Sequence, residues 1–330
     1  MTVKIVTDSS ADINPELAQQ LGITVVPLYV RFGEEVYRDG VDIGADEFYQ
    51  RLEADPIHPA TSAPSPGDFA TTYEGLAKET DEIVSIHIGS KVSATHAAAL
   101  QGKEALAGTR CQIEVVDSQW VTMALGLITM AAAKAAQAGG SLHQVLEEAK
   151  TSISRIRVLG VFDTLKYLLL GGRISKAKAI VGSVLNVKPL ITMRDGELAQ
   201  AGLARTRSKG VARLVELVRS ALDIQDLAIV HATTPGEANS LEELISSILD
   251  KKCIYMARLG PALGVHGGPG TMIVALREGK DRAALETTAG ERKRRLPLPS
   301  LHLPGQHFSC YYQPQGRKLD YSLRLKLVEV

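Results

Sequence analysis

At 330 residues the chain is longer than one hydrophobic core usually organises, about 250 residues, so two domains are expected. Its 37 Lys and Arg balance 37 Asp and Glu, which excludes a global basic field for nucleic acid or an anionic membrane and leaves specificity to a local site. Cys111, Cys253 and Cys310 are far apart and form no CxxC pattern, the opening MTVKIVTDSS has no signal-like character, and the most apolar window, 121–133, is interrupted by Thr122 and Thr129; a soluble cytoplasmic protein without a membrane span is expected.

In chain order, residues 3–6 read as a short buried strand, followed by the turn formers Thr7 to Ser10. Asn14 and Pro15 suit the cap and first position of a helix ending near Leu21. The apolar run 23–32, Gly33 and the return through Val36 and Tyr37 look like a small hairpin. Residues 46–52 fit a helix. Residues 55–68, DPIHPATSAPSPGD, hold four prolines and form a loop too long for a plain connector, of the kind that binds something. A helix over 69–78 leads to the strand 83–88, the turn Gly89-Ser90-Lys91, and an Ala-rich helix opening near Ser93. A strand that turns into a helix start is an anion site, because the first helical amides lack partners and the helix dipole is positive there. No GxGxxG or GxxxxGK[ST] pattern accompanies it, so the local signal is "anion" and not "nucleotide".

A strand over 113–116 and helices over 121–138 and 142–154, split by Gly139 and Gly140, complete the first half. This alternation predicts a doubly wound, mainly parallel sheet, with ligands outside the carboxyl ends of its strands. By that rule Asp8 to Ser10, the Thr61 loop and Ser90 to Ser93 converge on one crevice. The second half reads as another α/β unit: a strand over 158–162, short helices over 164–170 and 174–185, and strands 188–193 and 198–205 around Asp195-Gly196, a strong hairpin signal. A helix to about Leu222, a strand 227–232, a helix 237–249 and a strand 254–257 follow. The glycine-rich stretch 260–270, GPALGVHGGPG, surrounds His266 where backbone approaches a ligand or loop closely, and a strand over 272–276 closes the pattern. Domains 1–156 and 157–277 are expected, and 278–330 as an irregular extension. Its basic run 292–295 reads as solvated. His302, His307 and Cys310 fit no standard zinc spacing, so no metal is expected.

VKIVTDSSADI at the start, TSAPSPGDF at 61–69, KVSATHAAA at 91–99, LLLGGRIS at 168–175, LNVKPLI at 185–191 and GPALGVHGGPG at 260–270, in that order, resemble the DegV family of bacterial fatty-acid-binding proteins. The resemblance implies two α/β domains holding one long-chain fatty acid between them, with no cofactor and no catalytic residues. In some members the acid passes to a separate fatty acid kinase, which phosphorylates its carboxylate. By matched position it implies that Thr61 and Ser93 hold the carboxylate with His266 nearby, that Ser62 and Ala94 are secondary ligand contacts, and that Arg173 meets the kinase or acyl phosphate at the mouth. Here Ala94 replaces a usual glycine, Ala63 a usual glutamine, and Gly267 a common threonine.

Two other classes compete. Ser93 and His266 would be nucleophile and base of a serine hydrolase if Asp8 or Asp117 oriented the imidazole, although no GxSxG elbow is present. A nucleotide-binding domain would share the α/β pattern but lacks its phosphate-loop fingerprint.

Overall fold

The structure, a computed structural model, describes residues 2–174 and 187–279. Most of the helix expected over 174–185, parts of two motifs (Ser175, Leu185 and Asn186), the basic run and the His302, His307 and Cys310 trio lie outside the described residues.

The first half forms a four-stranded parallel sheet of β1 (Lys4–Asp8), β2 (Ile23–Val26), β6 (Glu82–His87) and β7 (Gln112–Asp117), in the order β2-β1-β6-β7. Alternation along the strands sends residues to two different cores. Val6 and Ile83 pack with Phe69 and Tyr73 of α3 (Pro66–Leu76) and Ala98 and Ala99 of α4 (Thr95–Glu104). Ile5, Val84 and Ile86 face α5 (Thr122–Gln137). The sheet is therefore doubly wound.

The run 23–32 is not one hairpin arm. Past Val26 the chain leaves the parallel sheet, and β3 (Tyr29–Phe32) pairs antiparallel with both β4 (Glu35–Arg38) and β5 (Ala60–Ser62) in a separate three-stranded sheet. Proline, which has no N–H to give a ladder, stands at the break, Pro27. β5 lies inside the expected loop 55–68, and α2 (Ala45–Ala54) precedes it.

The second half carries a six-stranded sheet in the order β10-β9-β8-β13-β11-β12. It comprises β8 (Ile156–Val161), β9 (Lys188–Arg194), β10 (Glu197–Ala204), β11 (Ile224–His231), β12 (Ile254–Arg258) and β13 (Met272–Glu278). Only β11 and β12 pair in parallel. The β9–β10 hairpin turns at Asp195 and Gly196, at φ 53° and 77°, as its sequence predicts. α8 (Arg207–Arg219) and α9 (Pro235–Ser246) cover one face through Leu214, Val218, Leu241 and Ile245.

Its other face packs on α5. Thirteen of the sixteen residues of α5 are buried, as expected for a helix apolar on every side. One hydrophobic cluster runs from Ile5 and Ile86 through Leu125, Ile128 and Ala132 to Ala228, Val230 and Ala275, so the window 121–133 is the layer between two sheets. Ionic contacts join the same parts: Asp226 of β11 takes Lys134 of α5 at 2.9 Å and Arg277 of β13 at 2.5 Å, and Arg277 reaches Glu148 of α6 (Leu142–Arg155) at 3.1 Å. Among the described residues no helix is long and apolar enough to cross a membrane.

Candidate functional site

A cavity of about 320 Å³ opens where the parallel sheet, the small antiparallel sheet and the second-half sheet meet. Leu28, Ile88, Val121, Phe162, Leu198 and Ile273 supply apolar wall from all three regions. Thr61, Ser62, Ser93, Ala94, Arg173 and His266 also line it, so the six residues that the family resemblance implies as ligand or partner contacts are at one cavity.

Each polar group reaches the cavity by a different local device. Thr61 lies opposite Val30 in the β3–β5 ladder, which holds its backbone in register. Ser93 follows a tight turn in which the amides of Val92 and Ser93 both donate to the Gly89 carbonyl, at 3.0 and 3.2 Å. A Cβ at Gly89 would sit 3.1 Å from the Gln119 backbone, so glycine lets this turn press against the lead-in to α5. The helix itself opens two residues later than expected: α4 starts at Thr95, whose N–H donates to Ser93 Oγ at 3.3 Å. Ser93 Oγ and Thr95 Oγ1 also share a hydrogen bond of 2.8 Å. Ala94 has φ −78° and ψ 0°, a right-handed conformation that alanine adopts without strain.

His266 is carried by α10 (Pro261–Gly267), a short helix inside the stretch expected to be loop. Its Nε2 lies 3.1 Å from Thr61 Oγ1. The ring packs on the turn after α7 (Lys166–Leu170): a Cβ at Gly171 would fall 2.0 Å from His266 Nδ1. No side chain but hydrogen fits there. Gly267, where the resemblance gives threonine, is hemmed in as well, with Leu259 and Thr271 at 2.9 and 3.2 Å from its would-be Cβ. Arg173 is exposed and bonds two backbone carbonyls, Gly171 at 2.8 Å and Val92 at 3.5 Å.

Burial, then the charges of Arg173 and His58, push the His266 imidazole down to about 4. At neutral pH it is uncharged. With Arg173 as the cation lining the cavity among the described residues, the site offers hydroxyls, a neutral imidazole and a guanidinium, a donor set for a carboxylate or phosphate oxygen.

The hydrolase geometry is absent. Ser93 bonds Thr95 and His266 bonds Thr61; Asp117 accepts from Ser90 at 2.5 Å, and Asp8 accepts from His87 at 3.0 Å. His266 Nδ1 is buried with no partner among the described residues, so no carboxylate orients it. The expected convergence of Asp8 to Ser10 on the cavity is also corrected: Asp8 and Ser10 are fully buried in a separate network. Their side chains turn inward because the 3-10 turn Ser9–Ala11 is capped by Asp8 itself.

Sequence reasoning missed Thr122 and Phe162 as cavity wall. Thr122 reads in sequence only as an interruption of an apolar helix, and nothing local marks its left-handed backbone, φ 51°. Among the described residues no group of three or more His, Cys, Asp or Glu side chains could hold a metal ion.

Over residues 2–278 the chain matches the family model described as "Uncharacterised protein, DegV family". A DegV domain-containing protein of Caldanaerobacter subterraneus is 34% identical over 270 residues, covering 81% of this chain and 95% of that protein. Among solved structures, a DegV family protein from Thermus thermophilus, described for its fatty acid binding, superposes with a TM-score of 0.78 at 31% identity, over 84% of this chain and 100% of that one. A stearic acid-binding protein from Eubacterium ventriosum superposes with a TM-score of 0.75 at 28% identity, over 84% of this chain and 98% of that one. With the family match spanning both sheets and the cavity between them, this chain belongs to the DegV family.

Proposed function

We propose that this protein is a non-catalytic cytoplasmic carrier that binds one long-chain fatty acid between lobes 1–156 and 157–277. Thr61 and Ser93 hold the carboxylate beside neutral His266, Ser62 and Ala94 complete the headgroup wall, and Arg173 stands at the mouth. The observation that carries this reading is a mainly apolar cavity whose lining includes the hydroxyls of Thr61 and Ser93, with Thr61 already bonded to His266. Solved relatives described as binding fatty acids support the ligand class.

The energetics divide the work. About fifteen methylenes at about 0.8 kcal/mol each contribute roughly 12 kcal/mol before association costs, so the apolar tail supplies affinity. A carboxylate leaving water needs charge-assisted hydrogen bonds, so the hydroxyls set orientation. Orientation matters because a fatty acid kinase subunit, the partner in this reading, needs the carboxylate presented outward.

Denaturing mass spectrometry of the purified protein tests the ligand class: a stoichiometric acid of about C14 to C18 is expected. Stoichiometric nucleotide with no lipid would overturn it. Incubating the loaded protein with a bacterial fatty acid kinase and ATP, and trapping acyl phosphate with hydroxylamine, tests the hand-over. No hydroxamate would leave a carrier without that partner.

A further inference from the structure

Asp12 and Thr122 both hold left-handed backbones, at φ 52° and 51°. For a β-branched residue such as Thr122 this conformation is strained, and it persists only where the surroundings over-determine it. Here they form a joint. The Thr122 hydroxyl donates to Asp12 Oδ2 at 2.5 Å, and Asp12 Oδ1 accepts the Gly260 N–H at 2.9 Å. Beside it, Asp39 accepts the Ser9 hydroxyl at 2.7 Å and the Ala262 N–H. A Cβ at Gly260 would lie 3.0 Å from Asp12 Oδ1 and 3.4 Å from Asp39 Oδ1, so both carboxylates flank the residue that caps α10. Thr122 and Ala262 are cavity wall, and α10 carries His266. Gly126, one turn along α5, has the Ala11 carbonyl 2.7 Å from its would-be Cβ, so α5 presses directly on the turn bearing Asp12.

We propose that Asp12, with Asp39 at its side, is a positioning residue for the ligand: it ties Thr122 in the cavity wall to the helix that carries His266, and its ionisation weakens the hold on an anionic headgroup. This rests on the fatty-acid reading above. The charged and titratable groups around the joint are Asp8 from the end of β1, Asp39 after β4, Tyr49 from α2, and Arg258 from β12. Arg258 is engaged with Asp46 at 2.7 Å. Burial, with Asp39 and Asp8 adding to it, pushes Asp12 up to about 8 against the bonds from Thr122 and Gly260. Burial likewise pushes Asp39 up to about 6. Asp12 is therefore protonated at neutral pH, where its own O–H and the Thr122 hydroxyl share the 2.5 Å bond, and it gains charge above neutral pH, when Thr122 alone donates. An anionic ligand raises its pKa further, so binding takes up a proton and affinity falls as pH rises past the midpoint. His266 is already neutral throughout that range.

Trp120, the single tryptophan, lies two residues before Thr122 and reads the joint without ligand. Its emission in the full chain is expected to show a transition with midpoint near 8, absent in Asp12→Asn. The Kd for palmitate is expected to rise by up to about tenfold per pH unit above that midpoint, and to stay flat in Asp12→Asn. A wild-type emission unchanged between about pH 6.5 and 9.5, the same transition in Asp12→Asn, or a pH-independent Kd would overturn the proposal. If Asp12→Asn fails to fold, Asp39→Asn takes its place: losing the neighbouring charge lowers the Trp120 midpoint, and an unmoved midpoint overturns it. Palmitate that binds at no pH overturns the fatty-acid reading instead, and is told apart because the Trp120 transition needs no ligand.

Discussion

Two polar clusters in this protein use the same side-chain types to opposite ends. Behind β6, Asp8 accepts from His87 Nδ1 at 3.0 Å, His87 Nε2 takes Ser85 Oγ at 2.7 Å, and the Tyr73 hydroxyl donates to Ser85 Oγ at 2.8 Å. All of these residues are fully buried, and Phe69 closes over the His87 ring at 4.9 Å. At the cavity, Thr61 and His266 form a single bond, and Ser93 turns to Thr95. An acid, an imidazole and a hydroxyl in sequence thus make a structural strut where every atom is satisfied and no substrate can reach. The looser group at the cavity has hydroxyl capacity unspent, as the proposed headgroup site requires. Residue type alone does not separate the two; access and satisfaction do.

The largest expected effect tests the strut. His87→Ala removes a buried partner of both Asp8 and Ser85 and opens a cavity under Phe69, and should lower the unfolding free energy by about 2–5 kcal/mol in urea titrations; ligand affinity per folded molecule should be nearly unchanged, and a selective loss of binding would erase that contrast. Next comes the packing beneath the cavity. Gly171→Ala places a methyl against the His266 ring and should cost about 1–3 kcal/mol of folding stability and, by displacing the ring, weaken fatty-acid binding measured by calorimetry; an unaltered Kd would mean that the ring position is immaterial. Thr61→Ala and Ser93→Ala should each weaken binding by about 1–3 kcal/mol with little change in Tm. Full lipid occupancy and affinity in the double variant would remove both hydroxyls from the site. The pH dependence of His266 gives a separate check. Its imidazole is depressed from 6.5 to about 4 in the fold, so between those values the unfolded chain binds more protons than the native one. Stability from this group is present above 6.5 and is lost as pH falls towards 4. Acid titration of Tm should show that slope in the wild type and a shallower one in His266→Gln.

What could be read from the sequence was local. Caps and turns were legible because their chemistry is short-range: Asn14 caps α1 (Pro15–Leu21) by accepting the Leu17 N–H, and Asp195-Gly196 turns its hairpin with both residues left-handed. The ordered motifs, through the family resemblance, singled out Thr61, Ser93 and His266, all of which line the cavity. The division of 23–32 between two sheets was not legible, because both halves are equally apolar and only the partner strand tells them apart. Nor was α10, since glycine and proline read as loop while Pro261 in fact sits at a helix start.

The amino-acid sequence by itself determined most element types and limits, since each follows from neighbours a few positions away, and its ordered motifs, through the family resemblance, singled out which hydroxyls, imidazole and guanidinium to watch. Only the tertiary structure decided that α5 is the layer between two sheets and that Asp8 closes a strut while Asp12 joins a cavity wall to a helix cap. Those outcomes depend on contacts between residues far apart in the chain, such as Asp8 with His87, Thr122 with Asp12 and Thr61 with His266, which leave no periodic mark along it.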